Sequence, residues 1–229
     1  MTSRWRRILP AVLVSIPVLA ILLGLGTWQV RRMHWKTDLL AQIAAAEAGP
    51  PMPLTASPQP FTKVRATGRF RHDLEATLGV EVRDNVLGTR LITPLEIQGL
   101  PTTLVNRGWV PLERRDLAIS RPEGEVGVTG YILPAQERDT FAATDDTAGR
   151  RFYTTDPAAI GAALGLPSVA PDMLVALAEP GQRGDALPQP AQTLPRPRNN
   201  HLGYVITWYG LAASLVGVLF AWAIRKEDA

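Results

Sequence analysis

Few side chains in this sequence could do chemistry, and most of them gather in two short runs. His201 lies in Asn199-Asn200-His201-Leu202-Gly203-Tyr204, which continues to Trp208-Tyr209. Near the other end of the chain stands Trp28-Gln29-Val30-Arg31-Arg32-Met33-His34-Trp35-Lys36. An imidazole can ligate a metal or move a proton. Indole and phenol rings offer flat faces to another ring or to a guanidinium. Arginine pairs bidentately with carboxylates. A third run, Leu104-Val105-Asn106-Arg107-Gly108-Trp109-Val110-Pro111, adds one more arginine and one more indole.

Spacing suggests how each run presents its groups. On a helix, His201, Tyr204, Val205, Trp208, Ala212 and Leu215 share one face, while Gly203, Gly210, Ser214 and Gly217 lie nearly opposite. Small residues let another helix approach closely. That face is therefore expected to pack against Ala20 and Gly24, leaving His201, Tyr204 and Trp208 free for a ligand or another protein. Trp28, Arg32 and Trp35 form a second helical stripe. Neutral imidazole is a good ligand for haem iron, and a porphyrin presents a flat ring and two carboxylates. His201 is the candidate axial ligand, Tyr204, Trp208 and Trp28 the candidate stacking groups, and Arg32 or Arg107 the candidate partners of the carboxylates. His34 is a weaker ligand candidate. The plainer reading is an aromatic belt with a basic anchor at lipid phosphates, and Asn199 and Asn200 as helix caps. Strand alternation puts Val105, Arg107 and Trp109 on one side, an Arg–Trp stack holding a sheet, with Gly108 marking a bulge or a close backbone approach.

The elements that must position these groups are two long apolar segments, Ile8–Val30 and Tyr204–Ile224. The whole chain of 229 residues is 46% hydrophobic and 20% charged, yet each of these stretches has no charge inside it and is long enough to cross about 30 Å of hydrocarbon as a helix. The first is longer than a signal-peptide core and lacks a small-x-small cleavage site, so it reads as an uncleaved anchor. Arg4, Arg6, Arg7, Arg225 and Lys226 favour cytoplasmic ends. Arg31, Arg32, Lys36, Arg196 and Arg198 argue the other way, but a segment far longer than about 60 residues translocates largely regardless of its charge.

The expected fold is a membrane protein in which two transmembrane α-helices flank a mainly antiparallel β (α+β) extracytoplasmic domain or partial barrel. Its parts are a cytoplasmic N-terminus (1–7), a first span (8–30), a helical extension and turn (31–55), a β-rich domain (56–179), a Pro-rich linker (180–200), a second span (201–224) and a cytoplasmic C-terminus (225–229). Strands are expected at Phe61–Arg71, Leu78–Arg83, Leu91–Ile97, Thr102–Val110, Val126–Leu133 and Met173–Ala178, and a turn at Asp84-Asn85. Asp139–Gly149 reads as a loop. A short helix capped by Asp156 and opened by Pro157 should stop at Gly165.

Several function classes drop out. With no cysteine there is no disulfide scaffold, thiolate site or thiol nucleophile. A net charge of +3 without a basic block in the central segment gives no nucleic-acid footprint. G-x-S-x-G, H-E-x-x-H and P-loop patterns are missing, so no enzyme is expected. Four scattered methionines are a poor basis for copper delivery.

Three motifs together resemble the Surfeit locus protein one family. They are Gly26-x-Trp28-Gln29-x-x-Arg32-x-x-Trp35-Lys36, Thr93-Pro94-Leu95 followed by Val105-Asn106-Arg107-Gly108-Trp109-Val110, and Asn200-His201-x-x-Tyr204-x-x-Thr207-Trp208. The resemblance implies a factor that helps assemble cytochrome c oxidase, acting on its catalytic subunit, with haem a synthase as a further candidate partner, at a membrane-lipid surface. Bacterial members are understood to bind haem a as transient cargo, and their important histidine corresponds to His201. His34 falls where the motif is open. The short N-terminus implies a bacterial inner-membrane member with a periplasmic central domain. The main rival is a scaffold that stabilises oxidase intermediates and carries no pigment; a membrane-anchored periplasmic enzyme is the other.

Overall fold

The computed structural model describes residues 3–113, 117–140, 142–179, 181 and 186–225, the side chains of 3–8 and 225 excepted. The flanking charges at Arg4, Arg6, Arg7, Arg225 and Lys226 therefore lie outside what is described. The chain forms two compact units, Met1–Gln42 with Arg196–Ala229, and Ile43–Pro195.

The first unit is a helix pair. Helix α1 is Ser3–Ala48, followed in the second unit by strands β1 (Met52–Pro53), β2 (Lys63–Phe70), β3 (Ala76–Arg83), β4 (Val86–Glu96), β5 (Thr103–Pro111), β6 (Glu125–Leu133) and β7 (Arg151–Phe152), helix α2 (Pro157–Ala163) and β8 (Met173–Ala176). Helix α3, His201–Arg225, completes the pair. At about 1.5 Å per residue, both helices exceed a hydrocarbon core. Val14, Ile21, Ile206 and Phe220 stand exposed along them. Apolar surface of this extent suits lipid rather than water. Both helices are long and apolar enough to cross a membrane.

The expected packing through the small-residue face is not what forms. A Cβ added at Gly24, Gly203, Gly210 or Gly217 would meet nothing within 4 Å. The covered positions on α3 include His201, Val205, Trp208, Ala212, Leu215 and Leu219, and on α1 they include Leu19, Leu22, Gly26, Gln29 and Met33. These intervals of three and four residues, about 3.5 to 3.6 on average, keep one seam of each helix facing its partner. The face expected to be free is the face that packs, and the close-approach glycine belongs to α1.

The second unit is a small barrel. Strands run in the order β1-β2-β6-β8-β5-β4-β3-β7, and a β2–β4 pairing (Arg69 with Glu96, Phe70 with Leu95) closes β2, β6, β8, β5 and β4 on themselves. Most pairings are antiparallel, while β5–β8, β1–β2 and β3–β7 are parallel. Val64, Phe70, Leu95, Val105, Val128, Ile132 and Leu174 fill the inside. Alternation sends Leu104, Ile92 and Met173 to the opposite side, where Ile160 of α2 and Leu164 at its C-terminal cap cover them. Asp84 and Asn85 take positive φ in the β3–β4 turn, as a tight hairpin requires. Asp156 accepts a hydrogen bond from the Ala159 N–H, and Gly165 follows α2 at φ +71°.

Two segments differ from expectation. β7 lies just after the anticipated loop and pairs with β3. Residues 186–195 are not a free linker. Leu187, Gln189 and Ala191 bridge Ile119, Trp109 and Leu177, and Leu194 is buried. Backbone pairing and apolar burial together hold a proline-rich stretch against the sheet, which composition alone does not reveal.

Candidate functional site

His201 begins α3 and faces the seam. Its Nδ1 lies 2.6 Å from Oε1 of Gln29. An amide oxygen only accepts, so in the neutral ring Nδ1 donates this bond and Nε2 keeps its lone pair. Among the described residues no hydrogen bond engages Nε2. Gln29 is 8% exposed and His201 is half-buried. Asn199 does not serve α3 as expected; its Nδ2 donates to the Met33 carbonyl at 3.3 Å and to the Thr37 hydroxyl at 3.2 Å. About two turns further along α3, the Tyr209 ring packs on Gly26, and its hydroxyl lies 3.1 Å from that of Thr27. His201 is thus fixed by the helix pair around it.

The expected stacking groups divide. Trp28 and Tyr204 are each 55% exposed. Arg32 is exposed and lays its guanidinium 4.0 Å from the centre of the Trp35 ring. Trp208 instead turns into the seam, where its indole N–H is sealed without a partner, a desolvation cost of roughly 1–3 kcal/mol. His34 is exposed on α1.

Arg107 belongs to the barrel unit and is committed there. Its side chain is 8% exposed. Nη2 donates to the Ser120 carbonyl at 2.6 Å, Nη1 lies 3.5 Å from Glu75, and the guanidinium sits 4.9 Å from the Phe70 ring centre. Glu75 also binds Arg121 at 2.8 Å and approaches His72 Nδ1 at 3.2 Å. Burial pushes the Arg107 guanidinium below its ordinary range, while Glu75 opposes that shift.

The expected grouping of Val105, Arg107 and Trp109 fails at a bulge. Leu91 faces Gly108 and Ile92 faces Asn106, which leaves Arg107 as the extra residue. Gly108 takes φ +120°, and Asn106 Oδ1 accepts from its N–H at 3.0 Å. The shift carries Trp109 to the side of Asn106, where the two line a cavity of about 290 Å³. Trp109 donates to the Glu81 carbonyl and lies beneath Arg83, at 5.7 Å, rather than Arg107.

The arrangement can offer one neutral imidazole nitrogen beside exposed aromatic surface. Among the described residues, no three His, Asp or Glu side chains gather as a metal centre. Gln29 is a site residue to which helical spacing on α1 alone gives no role. Its signal was the interval of three from Gly26 and four to Met33, which puts it on the seam.

The SURF1 family model matches residues 16–213, which contain all three motifs. The chain is 30% identical to Surfeit locus protein 1 of Xenopus tropicalis over 96% of this chain and 77% of that protein. Human Surfeit locus protein 1 is 31% identical over 89% and 73% respectively. The SURF1-like protein of Drosophila melanogaster is 34% identical over 88% and 73%. A match of this extent, running from the first apolar helix through the barrel to His201 and beyond, places the chain in the SURF1 family.

Proposed function

We propose that this chain is an assembly factor for haem-copper cytochrome c oxidase that holds haem a as cargo at the outer surface of a bacterial inner membrane. Family membership supports the assembly role; in this reading the oxidase's catalytic subunit is the recipient and haem a synthase the donor. The observation that carries the haem reading is His201, with Nδ1 tied to Gln29 and Nε2 left to ligate. A single neutral imidazole suits cargo that must be given up. Trp28 and Tyr204 supply exposed ring surface, and Arg32 a cation for a propionate. Trp208 would act from within the seam by supporting the helix that bears His201.

The test is an optical spectrum of the full chain purified from cells that make haem a. Pigment with a-type bands, lost in His201→Ala while the variant still binds the oxidase, supports the carrier. A colourless wild type that binds the oxidase is a scaffold. Turnover surviving loss of His201 would indicate an enzyme. Because the chain has no cysteine, a single Asp84→Cys in the β3–β4 turn reports orientation: labelling by an impermeant thiol reagent from outside intact cells is the expected result.

A further inference from the structure

We infer that Gln29 is a positioning residue that fixes the tautomer and ring plane of His201, so that Nε2 alone is presented as a ligand. A neutral imidazole can carry its proton on either nitrogen, and the hydrogen bond made by one decides what the other can do. Here the acceptor is a side-chain amide at 2.6 Å, short for an N–H donor. Gln29 is nine-tenths buried, and on α1 it sits between Gly26 and Met33 of the seam. The amide therefore cannot swing away without opening the helix pair. Its oxygen stands where metal-ligating histidines ordinarily find a carboxylate or backbone carbonyl.

The choice of an amide has a chemical consequence. A carboxylate at position 29 would draw the Nδ1 proton strongly and make Nε2 a more basic ligand. A neutral amide orients the ring but strengthens it less. That is the property expected of a site that loads and then releases, and this part of the inference rests on the haem-carrier reading. The tautomer itself does not.

The experiment has two arms, both on the full chain in detergent. In the first, pigment-free protein with ¹⁵N-labelled histidine is examined by long-range ¹H–¹⁵N NMR well above the ordinary imidazole range. His201 is expected to show a protonated Nδ1 and a bare Nε2, and Gln29→Leu to lose that preference. A proton on Nε2 in the wild type, or an unchanged tautomer in Gln29→Leu, overturns the inference. In the second arm haem a is titrated. Gln29→Leu should bind about 10- to 100-fold more weakly, whereas Gln29→Glu should bind at least as well as wild type, with a shifted Soret band and a lower reduction potential. Identical spectra and potentials for Gln29→Glu and wild type overturn the ligand-tuning step. If no form binds haem while the first arm succeeds, the carrier reading fails and the positioning role of Gln29 stands. Gln29→Asn, which keeps the amide on a shorter stem, guards against a Gln29→Leu that does not fold.

Discussion

The phenol ring of Tyr209 occupies the place a side chain on Gly26 would need: a Cβ built there lies 3.0 Å from two ring atoms. The contact sets how closely α1 and α3 approach, and so whether Gln29 can reach His201. Gly26→Val should overpack the seam and cost about 1–3 kcal/mol, read as a lower thermal midpoint of the detergent-solubilised chain. Gly210→Ala, on the open side of α3, should leave that midpoint unchanged or slightly raised. Equal losses at both positions would mean that the glycine stripe of α3 also packs.

Gly108 is the second glycine whose lack of a side chain is decisive. Its φ of +120° is strained for any L side chain, and an added Cβ would collide with the Gln189 carbonyl. Strain and collision add, so Gly108→Ala should cost about 3 kcal/mol or more. The expected signature is rapid proteolysis of the barrel domain. A Gly108→Ala chain as protease-resistant as wild type would show that residues 186–195 can move off β5 freely.

The acid limb of stability should carry a contribution from Glu81. Its carboxylate lies 2.7 Å from Arg83 and 3.2 Å from Arg90. Arg83, chiefly through its hydrogen bond, holds Glu81 below the ordinary glutamate value of 4.5 against the opposing effect of burial. A folded value lower than the unfolded one stabilises above the unfolded value, and the gain is lost as pH falls through the folded value. Glu81→Gln should therefore be less stable near neutral pH by up to about 1 kcal/mol, an exposure-limited amount. The difference should vanish below the ordinary carboxylate range. Chemical denaturation of both chains across acid pH measures it.

How much of this was legible beforehand depended on whether the signal was local. The turn at Asp84-Asn85, the cap at Asp156 and the stop at Gly165 are set by neighbouring residues, and all appear where spacing puts them. The bulge at Gly108 was legible as a bulge, but its effect was not, because one extra residue reverses every later side chain and carries Trp109 away from Arg107. Spacing groups the stripe bearing His201 correctly but does not show that this stripe is the covered one. A helical wheel says which residues share a face, and only the partner helix decides which face is covered. Gln29 illustrates the same limit: its role exists only once α3 is beside it.

Arg107 offers a last discrimination, between holding cargo and holding the barrel. Its guanidinium already faces Glu75, the Ser120 carbonyl and the Phe70 ring. Arg107→Met removes these contacts and leaves the Ser120 carbonyl without its donor, while Glu75 keeps Arg121 and His72, so it should destabilise by about 1–3 kcal/mol. Glu75→Leu alone strands the buried Arg107 guanidinium and should cost about 3 kcal/mol, and adding Arg107→Met to it should recover much of that loss. Arg121 is half-exposed and tolerates the change in water. Haem content per folded molecule should stay at the wild-type level in both chains that carry Arg107→Met. Pigment lost from Arg107→Met with its melting temperature intact would reverse the assignment, since a residue that only braces a sheet cannot lose cargo without losing stability.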